Sequence, residues 1–349
     1  MLRTLVIAML VFAAAGFAFS WKAMTTSYKG YDGLSTRVEI RKGMTSSEIL
    51  RLLEREGVLR DSFVPIVYVK TVRRDAILKA GTYDFLGAAT PLEVISLLER
   101  GEIVLTQVTM REGLDRWAVA ELMVAQGLGT LEQWSDATAY VSLIADLAPE
   151  AESLEGYLFP DTYRISPDLT PLAIVEIMVR NFRSQFGQEL AYINTGLDVH
   201  ETVTLASIVE TEARLDSERA TIASVYLNRI RKGMILQADP TVIFAMKLAG
   251  TWNGNIRKGD LRIDSPYNTY INPGLPPGPV ASPGLASLRA AAAPATTDYL
   301  FFVSKNDGSH VFSRTLAEHN HAVNIHQKEY WRNRRARQRA ESQAPSPER

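Results

Sequence analysis

Two glutamates, Glu210 and Glu212, close the run Thr202-Val203-Thr204-Leu205-Ala206-Ser207-Ile208-Val209-Glu210-Thr211-Glu212-Ala213-Arg214. Apolar residues recur there at three- and four-residue steps, so the run reads as a helix. Glu210 shares a side with Val203, Ala206, Ser207, Ala213 and Arg214. Small neighbours let other backbone or a ligand come close to a carboxyl and dry it partly, which makes a general acid usable near neutral pH. A solvated helix charge is the plainer alternative. Glu212 falls on the opposite side, with Leu205, Ile208 and Val209, and reads as structural.

Other residues of the same chemical kind are scattered along the chain. Glu155 sits in Leu154-Glu155-Gly156-Tyr157-Leu158-Phe159-Pro160-Asp161-Thr162-Tyr163, an ordered loop of aromatics around acids. Aromatic faces beside carboxylates suit sugar rings, although the aromatics serve equally well as core with Glu155 as a turn partner. Gln237 and Asp239 are two apart and point to one side if extended, although Asp239-Pro240 also reads as the cap and first turn of a helix over 241–248. Tyr267 and Asn268 stand in Ser265-Pro266-Tyr267-Asn268-Thr269-Tyr270, ahead of Gly274-Leu275-Pro276-Pro277-Gly278-Pro279. Proline at that density fixes a backbone cheaply and suits the wall of a groove. His319 and His321 are spaced badly for a metal, and none is expected.

The elements that must position these groups follow from caps and periodicity. Helices are expected over 117–126, 131–148, 171–186 and 201–214, then from a cap at Asp216 or Ser217 to Gly233, and over 285–293. A hairpin is expected around Asn306-Asp307-Gly308, and a capping box at Thr315 and Glu318. Residues 36–110 alternate short strands and helices, with caps at Ser46 or Ser47 and at Thr90. They form a small α+β module that resembles the LysM-like glycan-gripping modules, a structural spacer being the alternative. Residues 22–35 read as a linker.

Leu5 to Trp21 is almost continuously apolar and is flanked by Arg3 and Lys22. It reads as a short membrane anchor, or as a leader with a small-residue cleavage site at Ala13-Ala14-Ala15. Both readings export the remainder. The 349 residues carry a formal charge of -1, which argues against nucleic acid as a partner. The chain has no cysteine, so disulfides, zinc thiolates and thiol catalysis are excluded. From Arg332 the chain is rich in Arg, Gln and Ser, and 331–349 reads as a disordered basic tail.

Five motifs stand in order: Leu154 to Tyr163, Leu205 to Glu212, Gln237-Ala238-Asp239-Pro240-Thr241, Ser265 to Tyr270, and the proline run from Gly274. Together they make the chain resemble the YceG-like endolytic murein transglycosylases, from the N-terminal anchor to about residue 326. The resemblance implies an α+β fold: an anchor over 1–21, a LysM-like module over 36–110 and a catalytic domain over 111–330. It implies a single-pass protein of the inner (cell) membrane with its catalytic domain outside the cytoplasm, needing no cofactor and meeting peptidoglycan strands and peptidoglycan synthases. By the Ser-Ile-Val-Glu motif the catalytic acid is Glu210, with Glu155, Gln237, Asp239, Tyr267 and Asn268 as candidates for holding sugars. The implied reaction cleaves the β-1,4 bond between N-acetylmuramic acid and N-acetylglucosamine of nascent strands and leaves 1,6-anhydro ends. The rival readings are an inert glycan-binding scaffold and a hydrolase.

Overall fold

The computed structural model describes residues 2–187, 192–332 and 334. The chain divides into two compact units, one of Met1–Val108 with Tyr163–Leu169, the other of Thr109–Thr162 with Thr170–Arg349.

The first unit opens with helix α1 (Leu2–Thr25). It is long and apolar enough to cross a membrane. It also runs past Trp21 into the expected linker, and Met24 is buried. Strand β1 (Ser35–Ile40) pairs antiparallel with β2 (Gly81–Leu86), from Ser35 opposite Leu86 to Ile40 opposite Gly81. Side chains alternate across a strand, so Val38 and Ile40 enter the core while Arg37 faces out, 2.7 Å from the Asp84 carboxylate directly opposite. Between the strands lie α2 (Ser46–Arg55) and α3 (Phe63–Thr71), and α4 (Pro91–Arg100) follows. Thr45 caps α2, displacing Ser46 and Ser47. Its hydroxyl accepts from the Glu48 amide, and Glu48 answers the Thr45 amide at 2.7 Å. Thr90, Pro91 and Glu93 start α4 as their spacing predicts. Ile49, Leu50, Leu53, Tyr83, Phe85, Val94, Ile95 and Leu98 close the core. Strand β3 (Thr106–Thr109) pairs with β4 (Thr162–Ile165), the end of the aromatic motif.

The second unit is mainly helical: α5 (Arg116–Ala125), α6 (Leu131–Thr138), α7 (Pro171–Phe186), α8 (Val199–Glu212), α9 (Asp216–Arg231), α10 (Asp239–Leu248) and α11 (Leu285–Ala292). The hairpin of β5 (Phe301–Ser304) and β6 (His310–Ser313) follows, then α12 (Leu316–Val323). The helix expected over 131–148 stops at Thr138. The Thr138 carbonyl is taken by the Leu154 amide at 2.8 Å, and only a 3-10 turn at Val141–Ile144 resumes the path. Neither Asp216 nor Ser217 caps α9; the position belongs to Leu215, which makes no side-chain cap. Of the expected tail, 331 and 332 are helical, while 333 and 335–349 lie outside the described residues.

Helix α8 is the centre of this unit. Asp198 and Glu201 close a capping box at its start, and every residue from Thr202 to Val209 is buried. A helix that is buried all round is a core helix. It packs against α9, α10 and α11, so functional groups are held only at its ends.

Candidate active site

Three residues on one stripe of α8 fasten the proline-rich segment. His200 Nε2 is 2.9 Å from the Pro277 carbonyl. That carbonyl can only accept, so Nε2 carries a proton, and Nδ1 meets the Tyr157 hydroxyl at 2.9 Å. Ser207 Oγ accepts from the Val280 amide at 3.0 Å and donates to the Thr204 carbonyl at 2.8 Å. Glu210 Oε2 accepts from the Gly284 amide at 2.9 Å. Its other oxygen, Oε1, accepts from Arg219 Nη1 at 3.0 Å.

Arg219 is itself buried. It donates to Ser287 Oγ at 2.6 Å and to Asp216 Oδ1 at 2.9 Å, and its Nη2 lies 4.0 Å from Glu112 Oε2. Burial, and next the charge of Glu210, push the half-exposed Glu112 carboxyl upward. Glu112 also rests on Gly284, where a Cβ would fall on its carboxylate. The side of α8 bearing Glu210 is thus occupied by a guanidinium and by backbone. Both carboxylate oxygens are held by donors.

The other side carries Glu212, half-buried at the last turn. Burial, and next the charge of Asp239, push its carboxyl up to about 7 against a hydrogen bond with Tyr226 that pulls the other way. Asp239 heads α10 as its first residue, not its cap. Its Oδ1 instead accepts from the Tyr270 hydroxyl at 2.6 Å. Gln237 is exposed and has a left-handed backbone, φ 52°, with its amide donating to the Thr269 carbonyl at 3.0 Å. A non-glycine residue in that conformation is uncommon, and such residues concentrate at functional sites. Thr269 ties the two segments together, since its hydroxyl accepts from the Ala238 amide at 3.0 Å and meets Thr241 Oγ1 at 2.8 Å. Gln237, Asp239, Tyr270 and Glu212 therefore gather around one partly open surface.

The remaining candidates stand elsewhere. Asn268 is fully buried; its amide donates to the Ile263 carbonyl at 2.8 Å and accepts from the Tyr270 amide at 3.0 Å, so it shapes the loop that presents Tyr270. Tyr267 is half-buried with its ring 4.8 Å from that of Phe244, and burial pushes its hydroxyl up to about 12. Glu155 is 2% exposed. Its Oε2 accepts from the Arg116 amide at 2.9 Å, its Oε1 has no partner, and burial pushes the carboxyl up to about 8. The side chain is inside, where no sugar reaches it.

Sequence reasoning missed Glu112, Arg219 and Tyr226, whose partners are distant in the chain. It named Tyr270 only as part of a motif. No group of three potential metal-binding side chains stands among the described residues.

A model of the YceG-like family matches residues 38–325. An endolytic murein transglycosylase of Bacillus subtilis (strain 168) is 33% identical over 305 residues, covering 82% of this chain and 84% of the relative. One of Streptococcus pneumoniae (strain D39) is 29% identical over 362 residues, covering 93% of this chain, which spans only 65% of that longer relative. A crystal structure of a yceG-like protein from Listeria monocytogenes, 33% identical, superposes with a TM-score of 0.53 over 82% of this chain and 98% of its own. With the family match running from β1 of the first unit to the helical end of the second, this chain belongs to the YceG-like family.

Proposed function

We propose that the chain is a membrane-anchored lytic transglycosylase of peptidoglycan glycan strands, with its proton donor at the end of α8. The relatives' name supports the substrate class. The observation that carries the site is the half-buried Glu212 carboxyl, lifted to about 7 by burial and by Asp239. A general acid must be protonated yet able to ionise near its working pH.

The protonated Glu212 carboxyl donates to the glycosidic oxygen as the C1–O bond of the muramic residue breaks. Asp239, fixed by Tyr270, supplies negative charge for the developing oxocarbenium ion. The muramic 6-hydroxyl closes on C1 and returns its proton to Glu212, leaving a 1,6-anhydro end without consuming water. Gln237 and Tyr267 offer polar and aromatic contacts to neighbouring sugars. The first unit, with two helices between paired strands, acts as the LysM-like glycan grip, and α1 tethers both units outside the cytoplasm near the synthases that feed them nascent strands.

A second reading keeps the acid at Glu210, as the sequence motif implies. Its support is the neighbouring Glu112, whose carboxyl is raised partly by Glu210 itself, so two acids share Arg219. The test is mass spectrometry of peptidoglycan treated with the full chain in detergent, wild type against Glu210→Gln and Glu212→Gln. Anhydro-muramyl ends that vanish only with Glu212→Gln support the first reading, and ends that vanish only with Glu210→Gln the second. Reducing ends would mean a hydrolase; intact strands that merely bind would mean a scaffold.

A further inference from the structure

The segment Phe63-Val64-Pro65-Ile66-Val67-Tyr68-Val69 is apolar all round, a composition suited to a helix covered on every side. Helix α3 is covered on one side only. Pro65 and Val69 are buried in the first unit, whereas Phe63 is 70% and Val67 44% exposed. These outward residues are not isolated. Phe63 and Val67 line one open apolar groove together with Phe17 and Trp21 of α1.

We propose that α3 is an interfacial helix, its outward face seated in the headgroup and outer acyl region of the bilayer crossed by α1; the proposal rests on α1 being a membrane span. The depth follows from α1 itself. Its apolar run ends at Trp21, and Lys22 follows, the order expected where a span meets the headgroups. Phe17 lies one turn deeper, with its ring stacked 6.4 Å from that of Trp21. Side chains sharing a groove with both stand at the same level, within the roughly 5–10 Å that interfacial helices penetrate. Charge agrees with this occupant. Lys22 and Arg60, with Asp61, line the adjoining groove beside Phe19 and Phe63, and exposed Lys70 ends α3, so cations rim the apolar face as anionic lipid requires. The unit would then be held at a fixed height above the membrane instead of swinging on a tether.

The absence of native cysteine makes the test clean. Single cysteines replace Phe12, Phe63, Val67 or Lys42 in the full chain, Lys42 lying beyond the opposite end of the β1–β2 pair from the Tyr28–Ala89 bridge. Each carries an environment-sensitive nitrobenzoxadiazole label and is reconstituted in phosphatidylethanolamine–phosphatidylglycerol vesicles with brominated acyl chains. The labels at Phe63 and Val67 should be quenched at least about twofold more than the label at Lys42, approaching that at Phe12. Quenching at Phe12 with none at Phe63 and Val67 overturns the proposal. Blue-shifted but unquenched labels there would mean a protein partner or second copy covers the face, which also overturns it. An unquenched Phe12 removes the membrane span, and the docking with it.

Discussion

Glu210 and Glu212 are two residues apart, yet their carboxylates serve opposite sides of α8: one is bound by Arg219 and the Gly284 amide, the other lies with Tyr226 beside Asp239. Substitution by glutamine should separate their roles. Glu212→Gln should cut glycan cleavage by about 10²–10⁴-fold, the usual worth of a general acid, and leave thermal unfolding nearly unchanged. Glu210→Gln removes one charge partner of a buried guanidinium that keeps Asp216 at 2.9 Å, a loss of about 1–3 kcal/mol. It should lower Tm by about five degrees while cleavage at low temperature persists. Circular dichroism melts read beside product analysis check both.

The pH dependence has a defined sign. An acid must hold its proton to donate it, so cleavage should fall as pH rises through about 7, where the Glu212 carboxyl ionises. Asp239 contributes to that elevation. Asp239→Asn should therefore move the alkaline limb of the rate profile to lower pH while its amide oxygen still accepts from Tyr270. A limb that stays in place would detach Glu212 from the rate.

Glu155 predicts a stability effect with no counterpart in activity. Its folded-state carboxyl is raised to about 8 by burial, so the proton is bound more tightly in the folded chain. The associated stability is present below the unfolded carboxylate range and is lost as pH rises through about 8. Glu155→Gln keeps an acceptor for the Arg116 amide and cannot ionise. Its Tm should decline less than that of wild type between pH 5 and pH 8, by a few degrees on the order expected for 1–2 kcal/mol.

Ser207→Ala would leave the buried Val280 amide without its acceptor, a cost of about 1–3 kcal/mol. Amide exchange should quicken at Val280 and its loop neighbours before it does so in α8. If the proline segment walls the sugar site, KM for glycan should rise more than kcat falls. Unchanged exchange at Val280 would mean that proline stiffness alone holds the loop.

Local chemistry was readable from sequence, and long-range partnership was not. Thr90 with Glu93 and Thr315 with Glu318 are complete within four residues, and Pro171 needs only its own ring to start α7. The break after Thr138 depends on the Leu154 amide, a partner outside the helix. The same limit governed the two acids. Small neighbours suggested room beside Glu210, but that room is filled by Arg219 of α9 and by the turn at Gly284. Glu212, read as structural because it points away from Glu210, is the carboxyl that burial and Asp239 raise. The aromatic motif around Glu155 was visible, while its burial against α5 was not.

The three attachments of the proline segment to α8 also constrain how this family can diverge. Steps of seven and three residues along the helix, from His200 to Ser207 to Glu210, meet steps of three and four along the loop, from Pro277 to Val280 to Gly284. At about 1.5 Å per residue the helix fixes a ruler that the loop must match. An amide or carbonyl is supplied by almost any residue, so identity at these attachment points is free to drift except at Gly284, where a Cβ would fall on the Glu112 carboxylate. Length is not, because one residue gained or lost would put the attachments out of phase. Related chains should therefore reject insertions or deletions across 277–284, and any side chain at Gly284.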